Sequence, residues 1–524
     1  MKRWGFAFLI LALLVPATGI AGVVAQEDNT LYIVSSNDIA TLDPAIGYDL
    51  TAWLAEPLVY RGLVGYSETG ELIPVLAESY EASEDGLTYT FTLREGIKFS
   101  NGRAITAEDV KYTFERFFSP DTASPGTFIY EMIAGAPEYM NGEADEVSGV
   151  QAVDDRTVQF TLSRPEYTFL IRMALPFTSI VAREGVEAAG ADFARQPLGA
   201  GPFTLESWES GRRAVFVRNP NYYREGYPKV DRIVIDIGID PSVGVLRVES
   251  GEADLTWDFL SAAEYARISQ DPNLSDQLIY IQAFPAIAYA TMNVRQAPFD
   301  NVRVRQALNM AIDRGRLVQV MGGLAVPLYG MIPPIVAGYN PDLTLIPYDP
   351  EGAKALLAEA GYPDGFSTTI HTVNFPNTTR VAEALIQDLG QVGVQAELIT
   401  LDIGPLMDLW YGENPGEIAI GYFPWGMDYP DPSNAYEPLL LCGAAGNAGG
   451  YCNEEMDALF EAANAVPPGD ARWKAFQDYE IALQQDYPVI FMMHTQQYFY
   501  RSDRVSGLAS FPSNLLTFET ASVQ

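Results

Sequence analysis

Hydrophobic and polar positions repeat along this chain with two periods, and the changes from one to the other predict its elements. Thr88-Tyr-Thr-Phe-Thr-Leu93 and Thr157-Val-Gln-Phe-Thr-Leu162 alternate residue by residue, as half-buried strands do. Leu31–Val34, Val230–Asp236, Thr369–Val373 and Val489–Met493 are short apolar runs that read as buried strands. Helical spacing lies between them. Thr106 and Asp109 form a capping-box-like start, after which Val110, Phe114 and Phe117 share a face. Asp349-Pro350 gives a cap and a first-turn proline before Ala353, Leu356, Leu357 and Ala360, and Gly361 stands where a left-handed cap ends the helix. Asn301 precedes a helix predicted to turn Val304, Ala307, Leu308, Ala311 and Ile312 inward, with Arg303 and Arg305 outward. Asp470 starts another, through Trp473, Phe476, Tyr479 and Leu483. Strands and helices interleaved in this way predict an α/β (α+β mixed) fold, not a bundle or a sandwich.

Length and charge narrow the picture. At 524 residues the chain exceeds what one hydrophobic core organises, so two or three domains are expected. A net charge of −36 repels nucleic acid and anionic lipid, so nucleic acid is not an expected partner. Lys2 and Arg3 precede an apolar run from Trp4 to Val24, and Gln26-Glu27-Asp28-Asn29 is abruptly polar. Residues 1–25 therefore read as a secretory signal peptide. The competing reading is a retained anchor, since the run approaches the roughly 20 residues that span a bilayer. Either way the chain is expected across the cytoplasmic membrane, periplasmic or at the cell surface. No cysteine at the cleavage position supports lipid attachment.

Cys442 and Cys452 flank the flexible stretch Gly-Ala-Ala-Gly-Asn-Ala-Gly-Gly-Tyr and, in an oxidising compartment, read as a disulfide. Such a staple contributes on the order of 2–3 kcal/mol by restricting the unfolded chain. A redox or metal pair would want Cys-x-x-Cys spacing or a nearby histidine. The two histidines, His371 and His494, stand alone, and no metal site or cofactor is expected. His-Glu-x-x-His, Gly-x-Ser-x-Gly and phosphate-binding glycine motifs are all absent. Gly199-Ala-Gly201 runs into Pro202 and a strand-like segment, so it reads as a turn.

An ordered series of phrases carries a resemblance. Leu42-Asp-Pro-Ala45, Pro74-Val-Leu-Ala-Glu-Ser-Tyr80, Lys98-Phe-Ser-Asn-Gly102 and Ile105-Thr-Ala-Glu-Asp-Val110 come first. Gly199-Ala-Gly-Pro-Phe-Thr-Leu205, Asn219-Pro-Asn-Tyr-Tyr223, the run from Pro298 to Arg314 and Trp425-Gly-Met-Asp-Tyr-Pro-Asp-Pro432 follow. Together they resemble the family 5 extracellular solute-binding proteins of ABC importers, along essentially the whole chain after the leader. The resemblance implies a two-lobed, type II periplasmic-binding-protein-like clamp with an extra inserted domain. Domain I would comprise residues 26–67, 185–288 and 494–524, domain II residues 68–184, and domain III residues 289–493. Crossings near Ala288 and His494 would form the hinge. The implied role is non-enzymatic: a monomer that captures a peptide or similar small solute and delivers it to membrane permease subunits.

The same resemblance nominates a site. Asp428 would pair with a ligand ammonium group; read from the residues alone, it equally begins a proline-rich turn. Trp425 would line a pocket, or simply fill core, with Gly426 and Met427 presenting backbone groups. Tyr48, Asp49 and Leu50, after the Leu-Asp-Pro-Ala phrase, would approach the ligand, as would Tyr289 and Thr291. Ile403, Trp410 and Tyr422 stand where oligopeptide binders carry a tryptophan and arginines, so a replacement cation would fall to His371 or Arg380. An oligosaccharide is therefore an alternative cargo. A secreted glycoside hydrolase using Asp428 and Asp431 is the alternative from another class, and a third, a calcium-stabilised adhesion module using Asp428, Asp431 and Asn434, lacks the Asp-x-Asp-x-Asp loop spacing.

Overall fold

The computed structural model describes residues 29–67, 69–282, 285–343, 346–411, 418–508, 510 and 516–524; the predicted leader lies outside them. Three sheets organise the chain. Thr30–Ser35 lies between Leu255–Thr256 and Arg232–Ile237, parallel to both, and Arg213–Arg218 and Phe203–Glu209 continue the sheet antiparallel. An antiparallel four-stranded sheet is built from Ala77–Ala82, Thr88–Leu93, Thr157–Thr161 and Val150–Ala152. One continuous core serves both, from Ile33 and Phe216 to Phe91 and Phe160, so they form one lobe.

The second lobe stands on a seven-stranded mixed sheet. Ala286–Met292 is central, antiparallel to Val489–Thr495 on one side and Ile420–Tyr422 on the other. Ser367–Val373 then runs parallel to Ile420–Tyr422 and to Gln395–Leu401. Both central strands are buried along their whole length. Alternation divides their side chains between two cores: Ala288, Ala290 and Met292 face one, Ile287 and Tyr289 the other. The chain crosses between lobes as paired strands, because Leu278–Tyr280 also pairs antiparallel with Tyr498–Tyr500. No described helix is long and apolar enough to cross a membrane.

Local signals fixed the helices. Ala107–Phe118 begins at a Thr106/Asp109 capping box, Pro350–Glu359 at Asp349, and Val302–Ala311 at Asn301. Gly361 adopts φ +95°, the left-handed turn expected there. One expectation needs correction. Arg303 is exposed as predicted, but Arg305 is buried. Its guanidinium donates to the carbonyls of Phe299, Asp300, Asp486 and Tyr487, satisfying main-chain groups of two loops at once. Cys442 and Cys452 form the expected disulfide, with Cα atoms 4.5 Å apart. Gly199 and Gly201 pack against the backbone at Val59 and Tyr60, where any Cβ would lie within 2.4 Å of main-chain atoms.

Candidate functional site

The turn Asp43–Tyr48 brings the first lobe to the site. Asp43 accepts two hydrogen bonds from Arg116, at 2.8 and 2.5 Å, and one from the Ala45 amide. Trp53 Nε1 donates to the Gly47 carbonyl. A Cβ at Gly47 would come within 2.0 Å of the Glu56 carboxyl, so only glycine lets the turn sit this close to the helix Leu50–Val59. Tyr48 then projects outward, its ring against Trp53 and Phe177. Asp49 turns back instead: its carboxylate accepts from the Thr51 and Ala52 amides as the cap of that helix. Leu50 is half-buried against the first lobe's core.

The second lobe contributes the segment after Ile420–Tyr422. Trp425 and Gly426 pair with Ile287 and Ala286, and the Met427 amide donates to the Pro285 carbonyl. Met427 and Tyr289 fill the same core, while Thr291 donates to the Gly421 carbonyl. Trp425 packs partly on that core, and its buried indole N–H meets no acceptor among the described residues. Asp428 is fully buried at the end of this run. Its amide donates to Asn434 Oδ1 at 2.7 Å, and Asn434 Nδ2 donates back to the carboxylate at 3.3 Å.

The lobes meet on this carboxylate. Tyr48 Oη donates to Asp428 Oδ1 at 3.0 Å. Burial pushes the Asp428 carboxyl up to about 6, against the lowering effect of Tyr48, Asn434 and Arg172. Asp431, three residues on, is differently placed. It accepts from Arg472 at 2.8 Å and caps the turn Pro432–Ala435. Among the described residues no group of three or more His, Cys, Asp or Glu side chains could hold a metal ion.

A second inter-lobe contact went unnoticed in the sequence. Arg172 is fully buried, donates to Thr168 Oγ1 and the Ile129 carbonyl, and reaches Glu437 of the other lobe at 2.9 Å. Its guanidinium lies 4.7 Å from the Tyr429 ring centre, and Tyr429 itself packs into the first lobe's core. No local pattern marks a buried arginine whose partner is 265 positions away. Of the other residues noted in the sequence, Trp410 donates to the Gly446 carbonyl, and Tyr422 and His371 are buried. Arg380 is exposed. Ile403 opens the helix Ile403–Tyr411. Burial lowers the His494 pKa, against the raising effect of the hydrogen bond that Nδ1 donates to the Ala286 carbonyl. A cavity of about 620 Å³ lies elsewhere, at the far end of the helix Leu50–Val59.

Two lobes joined by paired crossing strands and meeting over a buried polar group are those of an extracytoplasmic solute-binding protein. The chain belongs to the bacterial extracellular solute-binding proteins, family 5, whose middle region matches residues 71–447. It is similar to heme-binding protein A of Haemophilus influenzae, with 32% identity over 95% of this chain and 93% of that one. The dipeptide-binding protein of Escherichia coli is 31% identical over 100% of this chain and 99% of its own. In fold it is similar to the murein tripeptide binding protein of Escherichia coli, with a TM-score of 0.83 at 24% identity, covering 95% and 99% of the two chains. The sequence-based expectation is thus met: this is the solute-capturing component of an ABC importer, working with a membrane permease.

Proposed function

We propose that the captured solute carries a primary ammonium group, a short peptide being the best example, and that Asp428 receives it. The observation that carries this reading is a carboxylate removed from water where the lobes meet, hydrogen-bonded to Tyr48 of one lobe and Asn434 of the other. A ligand ammonium would add a charge-assisted hydrogen bond to this carboxylate, and that bond stabilises the liganded form. The dipeptide-binding relative and the tripeptide-binding fold neighbour are in keeping with that chemistry. Trp425, with its unmatched indole donor, would wall the site and offer a hydrogen bond to a ligand carbonyl. Tyr48 would yield its bond or share it; Tyr289, Met427 and Gly426 would shape the floor, and Asp49, Leu50 and Thr291 would act through the elements they anchor.

The division into domain I (26–67, 185–288, 494–524), domain II (68–184) and domain III (289–493) is part of the same reading, with the paired crossing strands as hinge. We read the chain as a binder rather than a hydrolase. A glycosidase would need a second free carboxylate, and Asp431 is engaged by Arg472. The test is mass spectrometry of the copurified solute, then calorimetry with dipeptides, tripeptides and oligosaccharides. Asp428→Ala is expected to weaken an amine ligand by about 2–5 kcal/mol. Equal affinity in wild type and variant would remove Asp428 from the site, and tight binding of an oligosaccharide alone would replace the peptide reading.

A further inference from the structure

A cavity of about 620 Å³ opens where the end of the helix Leu50–Val59 meets the strands Val64–Tyr66 and Leu72–Pro74 and the segments 174–179, 223–224 and 516–520. The helix joins the two regions: its first turn follows Tyr48, while Pro57, Tyr60 and Arg61 at its other end face the cavity. Ten residues of helix separate them by about 15 Å. The cavity is therefore distinct from the cleft at Asp428.

Its charge is opposite to that of the molecule. Among the described residues, Arg61, Arg94 and Arg224 line it and Glu519 is the one acidic lining residue. In a chain of net charge −36, three guanidinium groups to one carboxylate among the described lining residues are a local reversal. Glu519 is already saturated, accepting from Arg61 at 3.0 Å, from Arg224 and from the Tyr222 hydroxyl. Arg61 spends its other terminal nitrogen on the Pro57 and Tyr60 carbonyls. Arg94 gives Nε to the Val75 carbonyl and Nη2 to that of Pro74, which leaves Nη1 without an acceptor among the described residues. Arg224 gives Nη1 to Glu519, which leaves Nη2 and Nε. The remaining walls include Tyr223, Leu175 and Pro176. Arg94 lies 5.8 Å from the Tyr223 ring centre.

We propose that this cavity is a second binding site, for a small organic acid whose carboxylate bridges Arg94 and Arg224 and whose apolar body rests on Tyr223, Leu175 and Pro176. Three features support that class. The volume falls within the roughly 300–1,000 Å³ of small-molecule sites. Guanidinium groups with free N–H pairs match a carboxylate, and the excess positive charge is relieved by an anion. Apolar walls beside the cations favour an acid with a hydrocarbon body over a bare inorganic ion.

The test is calorimetry with benzoate, indole-3-acetate and succinate, with inorganic phosphate as the competing anion, on the whole secreted protein. Saturable binding of an organic acid is expected, weakened about tenfold or more in Arg224→Gln and in Arg94→Gln. Asp428→Asn should leave this binding unchanged, which separates the site from the cleft and from the fate of the amine reading. The Arg224 side chain is about one-third exposed, so Arg224→Gln should melt like wild type without ligand, and that control accompanies the titration. The proposal is overturned by any of four results: no saturation at millimolar acid, phosphate binding as tightly as the organic acids, binding that survives both glutamine variants, or binding lost with Asp428→Asn.

Discussion

If Asp428 receives the ligand amine as proposed, this one side chain couples capture to pH. In the folded protein its carboxyl titrates near 6 instead of the ordinary 3.8, because burial outweighs the bonds from Tyr48 and Asn434. Between those two values the folded chain holds a proton that the unfolded chain has released. Stability without ligand therefore falls as pH rises through this window, by about 3 kcal/mol in all. Amine binding has the opposite dependence, since it needs the carboxylate ionised. Affinity for a dipeptide should be flat above about pH 7 and fall close to tenfold per pH unit well below pH 6. Calorimetry at pH 7.5, 6.0 and 5.0 checks this, with Asp428→Asn as the control that loses the dependence. A flat profile in the wild type would show that Asp428 does not meet the amine. The residue types at 425–428 could be read from the sequence through resemblance. Asn434 and Tyr48 as the partners holding this carboxylate could not, because one lies beyond a proline-rich turn and the other 380 positions away.

At the scale of elements, local chemistry was legible and long-range demand was not. Caps at Thr106, Asn301 and Asp349 act within three residues, and sequence shows them directly. The helix Val302–Ala311 also turns its apolar face inward as its spacing predicts. Arg305 departs from that pattern because the obligation it meets belongs to other segments. Carbonyls at 299–300 and 486–487 are all served by one guanidinium at the helix flank. Charge thus reads as surface in a helical wheel, while hydrogen-bond supply decides its burial. Arg305→Ala should cost about 2–4 kcal/mol in chemical denaturation, and Arg305→Lys should recover only part, since a lysine cannot span carbonyls from two segments. A loss below about 0.5 kcal/mol for the alanine variant would mean that water satisfies those carbonyls.

At the scale of the molecule, Arg172 anchors one of the direct polar contacts between the two lobes, beside that of Tyr48 with Asp428. It is fixed in the first lobe by Thr168, the Ile129 carbonyl and Glu166 at 3.6 Å, so it remains partnered when the lobes part. Glu437 and Tyr429 reach it from the second lobe. The arginine is thus a fixed socket and the Glu437 carboxylate a removable plug. A contact made only in the closed arrangement adds its free energy to the closed population and to ligand affinity alike. Glu437→Ala removes the plug without stranding a buried charge, because Glu166 still neutralises Arg172. The variant should bind the solute about 5–30-fold more weakly, equivalent to about 1–2 kcal/mol. Small-angle scattering of the unliganded variant should give a larger radius of gyration than wild type under the same conditions. Its unfolding midpoint should move little, since each lobe keeps its own core. Unchanged affinity and unchanged scattering together would show that closure rests on the Tyr48–Asp428 meeting and the buried Tyr429 ring instead, and that Arg172 serves only the first lobe's interior.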